Sequence, residues 1–323
     1  MRFHLRRRGP NLKAQIVHCK KWLTFPVACC RFSSWFLEHL GMSSQTTQAI
    51  LRGVKIVSLA INTPGPVAAA RLAGLGATVT KIEPPSGDPL KNAARPWYNS
   101  LIGRQTVLTL NLKDPAGRAH LDQLLAGTDL LLASFRPSAL RRMSLDWDNL
   151  HARHPRLCLV NIIGYAPPLE ERSGHDLTYL AGTRLLSPPH MPPSLFVDLA
   201  GAERCVSQSL ALLLQCARSG KAECSYVSLQ DCAQDLAQPL EAGLTLPEGV
   251  LGGGSPFYGL YRASDGWIAV AALEPHFASG LLSELGLSSA TRSDLERAFS
   301  GRTASAWEEW AELRDLPLMA VRV

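Results

Sequence analysis

"VKIVSLAINTPGPVAAARLAGLGATVTKIE", residues 54–83, decides the fold. Val54–Ala60 is an apolar run rich in β-branched residues and reads as a buried strand. "NTPGP" (62–66) reads as a turn, and Val67–Gly76 as a short helix closed by Gly76, the residue that tolerates the left-handed geometry past a helix end. Ala77–Glu83 is the next strand.

Working outward, "QTVLTLNL" (105–112) is a third strand, and a helix follows with Asp114 as N-cap and Pro115 in its first position, ending near Gly127. "DLLLASF" (129–135) and "LCLVNIIGY" (157–165) add two strands, with a helix over 145–154 between them. Strands alternating with helices imply an α/β fold, a Rossmann-like parallel sheet with helices on both faces. In such a sheet ligands bind beyond the carboxyl ends of the strands. The loops 61–66, 83–88, 111–114, 134–138 and 164–168 therefore carry the first candidates. None is a GxGxxG or a phosphate loop, so no dinucleotide fingerprint is present.

From Gly252 the pattern changes. "PFYGLYRASDGWIAVAAL" reads as two strands joined at Ser264–Gly266, followed by helices over 274–286 and 303–315, a smaller α+β unit. The expected division is a basic leader or misassigned start (1–41), a large α/β domain (42–235), and a linker with a small α+β domain (236–323).

The net charge of +6 points to anionic partners only until its distribution is considered. Residues 1–41 hold eight Lys/Arg against Glu38, so the remainder of the chain sums to −1. A nucleic-acid-binding body is excluded on that ground. The Arg-rich start resembles an organellar presequence, weakly imitates a secretory signal, or precedes a true start at Met42. A cytoplasmic protein is expected, or an organellar one if residues 1–41 are a presequence. No stretch approaches the ~20 apolar residues that span a bilayer, "SLALLLQC" being too short. The cysteines form no CxxC pair and have no His-rich partner for zinc; most of those in the body read as buried thiols.

Several separated stretches carry a resemblance. "GVKIVSLA", "LAGLGATVTKIEPPSGDP", "LNLKDPAGRAHLDQLLAGTDLLLASFRPSALRRM", "HPRLCLVNIIGY" and "GHDLTYLAG" resemble, in order, the family III CoA-transferases, the carnitine-dehydratase and bile-acid-inducible group. The resemblance covers roughly residues 51–320. It implies an acyl-CoA substrate, no cofactor beyond the CoA moiety, and an interlocked homodimer. In the family's transferase branch a carboxylate attacks an acyl-CoA thioester, and the matching position is Asp176. The racemase branch instead removes the α-proton of a 2-methylacyl-CoA on one face and returns it on the other. Its set is matched by His175 in "GHD", Asp198 in "SLFVDLAGA" and Glu274 in "ALEPHF". The "EPxF" element favours the racemase branch, which places His175 on one face, Asp198 on the other and Glu274 in the network that positions them.

An α-proton on a thioester is weakly acidic, so the enolate requires aimed dipoles, one free base and one protonated partner. An imidazole and a carboxylate raised by partial burial can share that work. The resemblance also places Ile61, Asn62, Thr63 and Pro64 beside the adenine–ribose end of CoA, Lys113 at a phosphate, Arg142 and Met143 along the nucleotide, and Ser134 with Phe135 as the wall. Each position has a plainer alternative. Asp198 is a natural N-cap for the helix that follows, Glu274 a first-turn charge, and Asp176 a cap for the segment from Leu177. His175 can be a satisfied interior histidine, and Lys113 and Arg142 solvated surface. The segment "GKAECSYVSLQDC" and the "AGA" after Asp198 depart from the family pattern, and relatives continue beyond the position of Val323. A CoA-transferase acting through Asp176 and a non-catalytic CoA-binding paralogue remain the rival readings.

Overall fold

The computed structural model describes residues 50–322; the expectations for residues 1–41 and for Met42 lie outside the described residues. β1 (Lys55–Ser58) leads into α1 (Pro64–Gly74) and β2 (Thr78–Glu83). The expected turn at "NTPGP" is the start of that helix: Pro64 takes the first position, where its missing N–H costs nothing. The bend falls instead on Asn62, held at φ 68°. Gly65 has to be glycine for a different reason. A Cβ there would stand 2.1 Å from the Cβ of Ala60, so only a bare backbone lets the helix begin this close to β1.

The stretch without clear periodicity contains two short helices, α2 (Pro89–Ala93) and α3 (Arg95–Ile102), each with a proline in its first turn. β3 (Gln105–Thr109), α4 (Pro115–Leu125), β4 (Leu130–Ala133), α5 (Pro137–Arg142), α6 (Trp147–Arg153) and β5 (Cys158–Ile163) follow. After α7 (Asp176–Ala181) comes α8 (Phe196–Ser219), 24 residues long, closed by Gly220 in the left-handed conformation. The departing segment "AECSYVSLQDC" still supplies β6 (Cys224–Ser228) and the start of α9 (Leu229–Glu241). That helix runs unbroken through residues 235 and 236, where a domain boundary was expected.

The six strands pair in parallel in the order β3-β2-β1-β4-β5-β6. Alternate residues of the strands feed opposite cores, as the two-residue period requires. Leu130 and Leu132 pack with α1, α8 and α9, whereas Leu131 and Ala133 pack with α4, α5 and α6. The sheet is thus covered on both sides, and its strand order reverses between β1 and β4. At that switch point the loops after β1 and β4 part and open a crevice.

A glycine-rich turn (Val250–Gly254), kinked at Gly253 with φ 116°, precedes β7 (Tyr258–Arg262), β8 (Trp267–Ala271), α10 (Pro275–Glu284), α11 (Arg292–Phe299), α12 (Ala304–Glu312) and β9 (Leu318–Ala320). The hairpin and two of the helices match expectation; α11 and the third antiparallel strand β9 do not appear in the sequence reading. These elements share a core of their own around Tyr261, Phe299 and Trp307. Among the described residues no helix is long and apolar enough to cross a membrane. The five described cysteines are free thiols, four of them buried.

Candidate active site

Two cavities meet at the switch point. The first, about 560 Å³, is lined by apolar Leu59, Ile82, Leu110 and Met143 together with the cations Lys113, Arg118 and Arg142. An apolar slot rimmed by three positive charges suits an adenine with phosphates attached. The second, about 390 Å³, holds His175, Asp198, Tyr179, Glu170, Arg136 and Arg172. Ile61 and Phe135 line both, so the cavities adjoin across the loops that leave β1 and β4. Those loops are tied together where Ile61 N donates to Ser134 Oγ at 3.3 Å, and Phe135 is pinned by Asn161 of β5 through its N–H and C=O.

Most of the expected positions converge here. Ile61, Lys113, Phe135, Arg142 and Met143 line the first cavity; Asn62, Pro64 and Ser134 line the second. Thr63 is buried as the N-cap of α1. Arg118, Arg136 and Arg172 were missed. Arg118 had a readable signal: it follows the N-terminus of α4 by one turn, and helical side chains lean back toward that end, over the loop carrying Lys113.

His175 is exposed and takes the N-cap position of α7. Its backbone N–H donates to Thr178 Oγ1 at 2.8 Å, while neither imidazole nitrogen has a hydrogen-bond partner among the described residues. It is therefore a ring open to the cavity rather than a satisfied interior histidine. The preceding glycine makes room for the wall behind it: a Cβ on Gly174 would lie 2.4 Å from the ring of Tyr179. Burial pushes that phenol up to about 12, so Tyr179 stays an O–H donor at neutral pH.

Asp198 is not the N-cap of α8. Leu195 holds that position, and Asp198 is the third helical residue. The capping is done by Asp176, 5% exposed, whose Oδ1 accepts from Val197 N at 2.8 Å and Asp198 N at 2.9 Å. Asp176 thus serves the first turn of α8 from another element, not the segment at Leu177. Burial, then the neighbouring Asp176 charge, push the Asp198 carboxyl up to about 6, against a smaller lowering by the Thr63 hydroxyl. Such a group holds its proton far better than an ordinary aspartate and still releases it near neutrality.

That shift has a measurable cost. Because the native state binds the Asp198 proton more tightly than the unfolded chain, stability falls as pH rises from about 3.8 to about 6, and the loss is complete above it. Asp198→Asn cannot ionise, so it is expected to stabilise the fold by about 2 kcal/mol at pH 8 and by nothing measurable at pH 3. Urea titrations of both proteins at the two pH values check this.

Glu274 is not brought to this site within the chain. It is exposed at the N-cap of α10, beside the smaller sheet, and lines neither cavity.

The profile of CoA-transferase family III matches residues 51–322. The chain belongs to this family. Among curated relatives of this CoA-transferase family III member, human alpha-methylacyl-CoA racemase is 32% identical over 74% of the chain, which spans 65% of that relative's length. The mouse enzyme of the same name is 30% identical, over 82% of the chain and 75% of the relative. A cinnamoyl-CoA:phenyllactate CoA-transferase of Clostridium sporogenes is 29% identical, over 69% of the chain and 61% of the relative. The fold matches a solved hypothetical protein of Mycobacterium tuberculosis with a TM-score of 0.72 at 24% identity, covering 84% of each chain.

Proposed function

We propose that this family III member epimerises a 2-methylacyl-CoA thioester at its α-carbon. One observation carries the reading: His175 and a proton-holding Asp198 face one cavity, and that cavity adjoins a basic, apolar slot suited to the nucleotide end of CoA. The thioester would lie across Ile61 and Phe135 with its α-carbon between the two bases. One base removes the α-proton, and the C–H electron pair moves into the enolate. The other base then delivers its own proton to the opposite face. Asp198 and His175 together hold one proton before and after, so no further reactant is needed. The start of α1 borders the same cavity, placing the positive end of its dipole near the enolate oxygen.

The commitment of Asp176 Oδ1 to two backbone N–H groups supports this over a CoA-transferase, whose nucleophilic carboxylate must reach the thioester. Glu274, exposed on a helix of the small unit, reaches the cavity in this proposal only from a second copy in an interlocked homodimer. The free thiols fit a reducing compartment, and we place the protein in the cytoplasm.

The test is incubation with a single epimer of a 2-methylacyl-CoA in deuterated water. Deuterium at the α-carbon, accumulating with the opposite epimer, is the expected result. A folded protein that exchanges nothing overturns the reading, and transfer of CoA to a free carboxylic acid establishes the transferase instead.

A further inference from the structure

The reaction cavity holds a buried donor that the two bases leave unused. Tyr179 is 2% exposed and lines the cavity that contains His175 and Asp198. It stands one turn of α7 along from His175. Its ring meets Tyr165 nearly edge-on, with centroids 5.3 Å apart at 67°, which fixes the phenol in place. The hydroxyl is set between two glycines of the same cavity wall. A Cβ on Gly164 would lie 2.6 Å from Tyr179 Oη, and one on Gly174 would lie 2.7 Å from it. Gly164 directly follows β5, at the carboxyl end of the sheet where ligands bind. Among the described residues the backbone N–H of Tyr179 has a partner, His175 O at 3.1 Å, and Oη has none. A buried phenol ordinarily finds a partner for its O–H, so a hydroxyl left open at a cavity wall is free for a ligand atom.

The enolate of the proposed reaction needs such a donor. α1 opens Pro64-Gly65-Pro66, and the prolines carry no N–H. Of these three residues only Gly65 can donate, and it does not line the cavity. The neutral and cationic side-chain donors of the wall besides His175 are Asn62, Ser134, Arg136, Arg172 and Ser173, all exposed or half-buried, where water weakens their pull. The geometry points to Tyr179 as a further catalytic residue: its hydroxyl donates to the thioester oxygen and holds the negative charge that collects there as the α-proton leaves. This rests on the α-proton chemistry proposed above. The C–H electron pair passes toward that oxygen on deprotonation and returns to the α-carbon on reprotonation, while the phenol keeps its own proton throughout.

Tyr179→Phe deletes the oxygen and keeps the ring. Because no protein partner is orphaned, the variant is expected to fold with a thermal midpoint close to that of the unsubstituted protein. Deuterium exchange at the α-carbon of a 2-methylacyl-CoA is expected to fall about 10²-fold or more in kcat, with KM within about twofold. The loss should be equal for both epimers, since one enolate serves both directions. Exchange kept within about threefold, or a loss confined to one epimer, overturns the proposal. A second measurement needs no turnover, and so separates failure of this assignment from failure of the proposed reaction. S-(N,N-dimethylcarbamoyl)-CoA carries a planar nitrogen in place of the α-carbon, which enriches its carbonyl oxygen, and it has no α-proton. Its bound carbonyl infrared stretch is expected at lower frequency in the unsubstituted protein than in Tyr179→Phe, even if no epimerisation is seen. Equal frequencies in the two proteins, or no binding to the unsubstituted one, overturn the assignment even if epimerisation is seen. Should Tyr179→Phe not fold, the unsubstituted protein decides: a bound stretch no lower than that of the thiocarbamate in water overturns the proposal, and a lower one supports it.

Discussion

Replacing His175 by glutamine is expected to lower epimerisation by about 10³-fold or more, while deuterium from solvent still enters one of the two epimers. With two bases on opposite faces, each removes the α-proton of only one epimer. Without the imidazole, Asp198 still exchanges the proton that points toward it, but nothing delivers a proton to the other face. Asp198→Asn is expected to give the mirror result, with exchange confined to the other epimer. The fold should barely notice the loss of His175, because the ring is exposed and lacks hydrogen-bond partners among the described residues; a change within about 0.5 kcal/mol is the range for such surface sites. NMR of each epimer in deuterated water, beside a thermal melt, checks both parts. Equal loss of exchange from both epimers would mean that the two side chains act on one face, and would end the two-base assignment.

The same two residues mark the limit of what the sequence discloses. The sheet was legible because its evidence is local. Val54–Ala60 and Leu130–Ala133 are apolar runs, and Gly76, at φ 99°, does sit just past the end of α1. The elements missed have weak local signals. α2 and α3 each carry a proline in the first turn that breaks the apolar period, α5 has six residues, and β9 has three and depends on pairing with β8. The cavity-lining residues on the loops after β1 and β4 followed from the rule for parallel sheets together with the family motifs. Asp198 was harder. As the third residue of α8 it looks like a cap from sequence, because the true cap, Asp176, stands 22 positions earlier and meets the helix only in three dimensions. The buried Lys81–Asp88 ion pair, closed at 2.8 Å, was equally hidden. "KIEPPSGD" reads as a strand and a polar loop, and nothing local says that its charges face inward.

Asp176 is the position where fold and chemistry separate most sharply. Asp176→Ala removes a buried carboxylate that satisfies two N–H groups of the first turn of α8, and is expected to cost about 2 to 4 kcal/mol by leaving those donors without partners. A loss of activity in that variant would follow from the damaged helix end alone. Asp176→Asn is the informative substitution, since its side-chain oxygen still accepts both N–H bonds while the charge disappears. One of the two causes that raise Asp198 is then gone, so the acid limb of the pH profile for α-proton exchange is expected to move below 6, toward the ordinary aspartate value. Activity at neutral pH should survive in part, because Asp198 still faces the cavity but holds its proton less firmly. A nucleophilic Asp176 predicts otherwise: the amide cannot form an anhydride with an acyl group, so CoA transfer would vanish at every pH with no shifted limb. A displaced limb with residual exchange would therefore assign Asp176 to capping and tuning, and a complete loss of CoA transfer would return it to the transferase chemistry.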